Sequence, residues 1–306
     1  LAAAAPGDVV MLGQGTFAES FTIPLNVTVR GSLGDGQSHI TGAAATGTRI
    51  AMSNLSRLEQ VKVTLPTDAL PAISHALGAP GVTFLDNIEM IGAGALGIGV
   101  QNSGQGNCIV SRLKYRSGAC AALLHTTAAC TGKLDAWDTR IGGGTLTDGV
   151  LAEGGTMAVN RLSAPSNATL TDGVSVDAAV FAGFAIFFDS STTNALHVTA
   201  NNAIIGIDGF NTSLASVPLL VDPAVTTGSL QILNGVGTGS LVDAPSAYLS
   251  QGNNVIVFLD ASTGDEGLNI WGELHVGSPF APRESVFGGG DSHVIGMSVF
   301  TNTSGE

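Results

Sequence analysis

Between Leu58 and Ala164 one short pattern returns at intervals of about 24 to 27 residues, a period typical of repeat architectures. Val61, Ile88, Leu113, Trp137 and Leu162 mark its successive appearances. Three positions before each lies a second apolar residue, namely Leu58, Leu85, Val110, Leu134 and Val159. One position after come Lys62, Glu89, Lys114, Asp138 and Ser163, so the sign of the charge alternates down the column. Self-similarity at this period marks a solenoid, in which a repeat buries its apolar face only by stacking on its neighbours. A chain of 306 residues can then form one continuous core instead of two separate domains.

A second column supports the same coil. Ile73, Ile98, Leu123, Val150, Ile186, Leu219 and Leu241 each begin a short apolar run. The wider gaps on either side of Ile186 predict insertions of roughly ten residues, which in a solenoid project as loops. Thr145-Leu146-Thr147-Asp148-Gly149-Val150 recurs one period later as Thr169-Leu170-Thr171-Asp172-Gly173-Val174. Stacked strands about 4.8 Å apart would set equivalent residues over one another. The alternating charges then read as a ladder whose exposed rungs are worth about 0.2–1 kcal/mol each. Trp137, in the inward column, is expected in the core.

Only 11% of residues are charged and 42 are glycine, which suits short strands joined by tight turns. No run approaches the roughly 18 apolar residues of a membrane span. A net charge of −13 with 11 Lys and Arg argues against nucleic acid, whose phosphates demand clustered cations. Cys108, Cys120 and Cys130 fit no zinc spacing and are expected as buried free thiols.

Leu1-Ala2-Ala3-Ala4-Ala5 reads as the last turn of an amphipathic helix stopped by Pro6-Gly7, with no signal-peptide n-region. Both ends read as cut from a longer protein. Three strands follow at Val9–Leu12, Ser20–Ile23 and Val27–Arg30. The residues Pro6-Gly7-Asp8-Val9-Val10, Gly15-Thr16-Phe17-Ala18-Glu19, Ile23 and Val27-Thr28-Val29-Arg30-Gly31 resemble the opening coil of the pectin-lyase-like right-handed parallel β-helix proteins. That class includes bacteriophage spike, fibre and capsid-decoration proteins, and the resemblance implies a short helix capping the first coil. The expected fold is all-β: a right-handed parallel β-helix over residues 1–263, with about 24–27 residues per coil. A β-rich segment over 264–306 follows, serving capping or oligomerisation. Within it Leu268-Asn269-Ile270-Trp271-Gly272-Glu273-Leu274-His275-Val276 alternates like a strand, and Phe280, Phe287 and Phe300 add aromatics around Gly288-Gly289-Gly290.

The resemblance carries no catalytic residue across. The Asn-Thr-Asp, Asp-Asp, Gly-His-Gly and Arg-Ile-Lys set of the polygalacturonase-like enzymes is absent, and so is the Gly-x-x-Asp-Phe-x-Phe-Gly stretch of the methylesterases. The eleven cations form no lyase-like arrangement. One constellation remains: Glu153, Asp189 and Asp222 follow Val150, Ile186 and Leu219 by three residues, Asp243 follows Ser240 (one before Leu241) by three, and the four would form an acidic stack. Adjacent carboxylates would suit glycoside hydrolysis, and crowding would raise a pKa. The competing reading is turn capping, since each is followed by turn formers. His39, His75, His125, His197, His275 and His293 are scattered and read as solvated or turn residues. Two Trp and two Tyr are few for a sugar-stacking groove.

The sequence therefore points to a non-enzymatic structural protein of a virus particle, a bacteriophage capsid-decoration or fibre protein acting as a homotrimer with other virion proteins. No cofactor or metal is expected, and surface glycans are a candidate contact. The alternatives are a polysaccharide-degrading β-helix enzyme using Glu153, Asp189, Asp222 or Asp243, and a secreted or cell-surface adhesin.

Overall fold

A computed structural model describes residues 1–272 apart from 2, 35–36, 43–45, 190, 213–214, 238–241, 250–254 and 261–266. It is an all-β parallel β-helix of about nine coils. Each full coil gives one long strand to a first sheet and a shorter strand to a second. Thus Val82–Ile91 and Ile98–Asn102 are followed by Asn107–Ser117 and Ala119–Thr126, then by Lys133–Ile141 and Gly144–Ala152. Every long strand pairs in parallel with those one coil before and after it.

The long strands share a bend that explains the three-residue spacing of the first column. Gln60, Asn87, Arg112, Asp138, Arg161, Ala185 and Gly209 all have positive φ, between 53° and 71°, and register stacks them directly over one another. Side chains on a regular strand alternate between faces, but a left-handed residue turns the chain and resets the alternation. Inward residues therefore lie two apart on each leg and three apart across the bend, as with Leu85 and Ile88 or Val110 and Leu113, all buried. Left-handed backbone costs a non-glycine residue about 1–2 kcal/mol. Six of the seven stacked residues carry that cost, set along one shared corner.

The bend corrects the fourth member of the column. Trp137 pairs with Ser111 and Asn160, one residue before the bend, and 43% of it is exposed. Thr139 takes the inward position over Leu162, in the coil following that of Leu113, and Ala136 rather than Leu134 precedes it across the bend. Coil four thus runs from Leu113 to Thr139, two positions beyond Trp137. The Thr139 hydroxyl is buried without a hydrogen-bond partner. Thr139→Val is isosteric and removes that unpaired group, so it should stabilise the chain by about 1 kcal/mol. A lowered denaturation midpoint for this variant would contradict the inward assignment.

The charge ladder shifts with it. Lys62, Glu89 and Lys114 do stack, but the fourth rung is Arg140, not Asp138. Alternation of sign belongs to the bend column instead, where Arg112, Asp138 and Arg161 follow one another and Arg161 reaches Asp138 at 2.7 Å. Further cross-coil pairs join Arg30 to Glu59 at 2.7 Å, Arg112 to Asp86 and Arg116 to Glu89. These exposed pairs record register more than they stabilise.

In the second sheet Ile50, Ile73, Val100, Leu124, Val150, Val174, Leu196, Leu219 and Val242 lie in register. Ile186 belongs to the first sheet, between Leu162 and Phe210. The coils from Val150 to Val174, Leu196 and Leu219 then keep an even length, so the two expected insertions do not exist. The Thr-Leu-Thr-Asp-Gly-Val repeat does stack residue on residue, Thr145 on Thr169 and Asp148 on Asp172. Cys108, Cys120 and Cys130 are buried free thiols, and burial pushes Cys108 and Cys120 up to about 12. Inside the later coils Phe188 and Phe210 meet edge to face at 6.3 Å.

At the N-terminus the described residues form a single turn in place of the expected helix. Ala4 donates to the Leu1 carbonyl, and Asp8 takes the Ala5 amide on its carboxylate at 2.8 Å. Gly7 is already committed to Asn26 of the next coil, which ends any helical continuation. Leu1 and Ala4 still pack on the core, so the turn covers the first coil. The three expected strands appear as Val9–Met11, Phe21–Ile23 and Thr28–Arg30, with a further one at Gly15–Phe17. Toward the other end Val255–Asp260 continues the first sheet in parallel, and Gly267–Gly272 returns antiparallel to it. Phe280, Phe287, Phe300 and the glycine run lie outside the described residues, as does the strand pattern beyond Gly272.

Candidate functional site

Register separates the four carboxylates singled out from the sequence. Glu153 and Asp222 do follow equivalent positions, Val150 and Leu219, but Asp177 and Thr199 occupy the coils between them. Three coils at about 4.8 Å each place them roughly 14 Å apart. Asp189 lies elsewhere, in the turn after Val180–Phe188, where its carboxylate accepts the Ser166 amide at 3.1 Å. Asp243 is part of the strand Val242–Asp243 and stands over Leu220. No acidic stack forms from these residues.

A different cluster does form on the second sheet. Asp148 stacks on Asp172, and Asn194 stands one coil beyond. Both aspartates are over nine-tenths buried, which aspartate rarely tolerates without partners. Asp172 has them. The Asn194 amide donates to its Oδ1 at 2.7 Å, and His197 Nδ1 donates to its Oδ2 at 3.0 Å. On its other side His197 Nε2 donates to Asp222 Oδ1 at 2.8 Å. With both ring nitrogens facing carboxylates, His197 is an imidazolium bridging two coils. The bond to Asp172 is the main cause raising its pKa to about 9, against the opposing effect of burial.

The Asp148 carboxyl has no hydrogen-bond partner among the described residues. Burial first, then the nearby Asp172 charge, raises its pKa to about 7, while the His197 cation partly offsets both. It therefore sits as a neutral carboxylic acid through much of the acid range. A second histidine lies toward the preceding coils. Gln101 Nε2 meets His125 Nδ1 at 3.0 Å, and His125 Nε2 meets Glu153 at 2.9 Å. The Gln101 amide and the Glu153 carboxylate thus hold the two ring nitrogens of His125 from opposite sides.

Histidine burial departs from the sequence expectation. His75 is fully buried, its Nδ1 meets the Thr83 hydroxyl at 2.8 Å, and burial lowers its pKa to about 4. His125 and His197 take part in the buried networks instead of standing in solvent. The Thr-Leu-Thr-Asp-Gly-Val repeat was the signal for Asp148 and Asp172, because an exact repeat in a solenoid puts identical residues in contact. Nothing in the sequence tied His197 to either.

The cluster can hold a proton on Asp148 and a cation on His197, but most of its polar atoms are spent on each other. Among the described residues, no three of His, Cys, Asp and Glu converge as metal ligands. No helix of the described residues is long and apolar enough to cross a membrane. No protein-family model, curated protein or solved structure matches this chain. The functional reading therefore rests on geometry.

Proposed function

We propose that this chain is the shaft of a structural, non-enzymatic β-helix protein, a fibre or capsid-decoration element of a bacteriophage particle that assembles as a homotrimer. The observation that supports this reading is the uninterrupted stack. From Val150 to Leu219 the coils follow one another without a break in register, and among the described residues no long insertion separates them. A solenoid of this kind gains length and rigidity, coil upon coil, through nearest-neighbour packing. The resemblance of the first coil to the pectin-lyase-like class agrees with the same role, and a net charge of −13 keeps such a surface soluble.

A second reading, glycan hydrolysis, is favoured by Asp148, whose carboxyl stays protonated to about pH 7 beside Asp172. The two are separated by incubating the full chain with a panel of acidic and capsular polysaccharides. The structural reading expects no new reducing ends and no unsaturated uronate absorbance. Cleavage that disappears in Asp148→Asn and Asp172→Asn, with the β-sheet circular dichroism retained, would replace it with the enzymatic one.

A further inference from the structure

The outward face of the first sheet changes character along the axis. In the early coils it carries the cross-coil ion pairs of Arg30, Glu59, Asp86 and Arg112. From the fourth coil onward the column Ser111, Trp137, Asn160, Phe184, Asp208 and Leu233 presents large apolar groups at every second rung. Trp137, Phe184 and Leu233 are 43%, 51% and 44% exposed. Beside this ridge runs a trough of small residues, Ala158, Ala182 and Gly206, in register with one another. Along its far side Val180 and Ile204 are also exposed. Asp208 is the one charged residue in the ridge column beyond Trp137 among the described residues, and it has an interaction within the chain.

Ridge and trough are matched in shape. Trp137 and Phe184 lie two coils apart, about 10 Å. Between them opens a shallow hollow of about 250 Å³ floored by Ala158, Val159, Ala182 and Gly183, with Asn160 and the ion pair of Lys133 and Asp135 at its edge. That space suits one aromatic side chain, and the same face supplies such a side chain in Phe184. A second copy of this chain repeats its rungs at the same pitch of about 4.8 Å, so its ridge can follow this trough over several coils. A partner without that pitch would fall out of step. The five exposed side chains leave roughly 400 Å² of apolar surface in water, comparable to the apolar share of a standard interface of about 800 Å² per partner. A chain of net charge −13 resists contact with its own copies least across a face whose few charges, Lys133, Asp135 and Asp208, are already engaged within the chain.

We infer that this face is the self-association surface of the protein, with Phe184 of one copy seated in the hollow between Trp137 and Phe184 of the next. The inference rests on the homo-oligomeric reading above and assigns it a surface.

The test is the native mass of the full chain by sedimentation at tens of micromolar, for wild type, Phe184→Lys and Leu96→Lys. Leu96 is 59% exposed and outside this face, so it controls for adding a charge at an exposed leucine. The expected result is a discrete oligomer for wild type and Leu96→Lys, and a single-chain mass for Phe184→Lys with its β-sheet circular dichroism unchanged. An oligomer that survives Phe184→Lys overturns the assignment of this face and leaves the oligomeric reading standing. A wild-type protein that sediments as a single chain overturns both.

Discussion

Gly118→Val is expected to be the most damaging single substitution in the first half of the chain, with a loss of more than about 4 kcal/mol. Gly118 has φ +93°, a conformation that a β-branched residue resists, and it stands between Gly92 and Gly144 in a three-glycine column at one corner of the coil. A Cβ there would press on the Gly92 carbonyl oxygen and lie 2.8 and 2.9 Å from its carbonyl carbon and Cα. The obstructing atoms are backbone, fixed by the bond that the Gly92 amide donates to the Ser117 carbonyl at 2.8 Å, and cannot rotate aside. Relief requires the two coils to separate, which exposes the apolar residues between them. Because a solenoid is stabilised coil by coil, the damage should be local first. Hydrogen exchange should accelerate in the strands Val82–Ile91 and Asn107–Ser117 before the rest of the stack. Gly78→Ala, where an added Cβ meets nothing within 4 Å, should stay within about 0.5 kcal/mol of wild type. Equal effects of the two substitutions would overturn the argument.

The second large effect is a pH dependence built into the buried cluster. The folded chain holds a proton on Asp148 up to about pH 7, whereas the unfolded chain releases it near the ordinary value of 3.8. Between those values the native state binds more protons, so stability falls as pH rises and the loss is complete above about 7. His197 acts in the same direction: its pKa rises from 6.5 to about 9, so its contribution is full below 6.5 and is lost as pH passes 9. The cluster should therefore weaken the fold steadily from about pH 4 to pH 9.

Asp148→Asn keeps the neutral form at every pH. At pH 5 its denaturation midpoint should already lie slightly above that of wild type; at pH 8 it should lie clearly above it, by about 1–3 kcal/mol of stability. His197→Gln should do the opposite, costing about 2–3 kcal/mol at pH 7 because Asp172 loses its cation. The half-exposed Asp222 limits that loss, since water screens its side of the bridge. A wild-type midpoint that does not change between pH 5 and 8, with Asp148→Asn indistinguishable from it at both, would remove the proposed proton linkage.

How far these features could be read in advance differs residue by residue. The spacing of three between Leu58 and Val61, Leu85 and Ile88, or Val110 and Leu113 is the signature of the bend, although a positive-φ corner is not visible as such in Gln60, Arg112 or Arg161. These are residues that rarely adopt it. In the fourth coil two apolar residues, Leu134 and Trp137, also stand three apart, and they mimic the true pair Ala136 and Thr139. Chemical character alone favours the wrong pair. The same happened with Ile186, an apolar residue of the right kind in the wrong sheet. It displaced Val174 and Leu196 from the second column and created two insertions that do not exist.

The candidate site was legible only where identity repeats. Asp148 and Asp172 are announced by six matching residues, and in-register stacking makes them neighbours. His197 reaches Asp172 on a diagonal, from the position aligned with Ser175, and meets Asp222 from the coil beyond. Such contacts join residues that share no column.

By itself the sequence determined that this chain coils, with what period, and that columns of apolar residues recur with that period. Those properties follow from burial and strand alternation, which act through spacing along the chain. Only the tertiary structure decided which residue of each coil turns outward, where the charges pair, and which carboxylates meet a histidine. A single left-handed residue per coil reverses the inward and outward sides of everything after it, and its place is set by the coils stacked above and below.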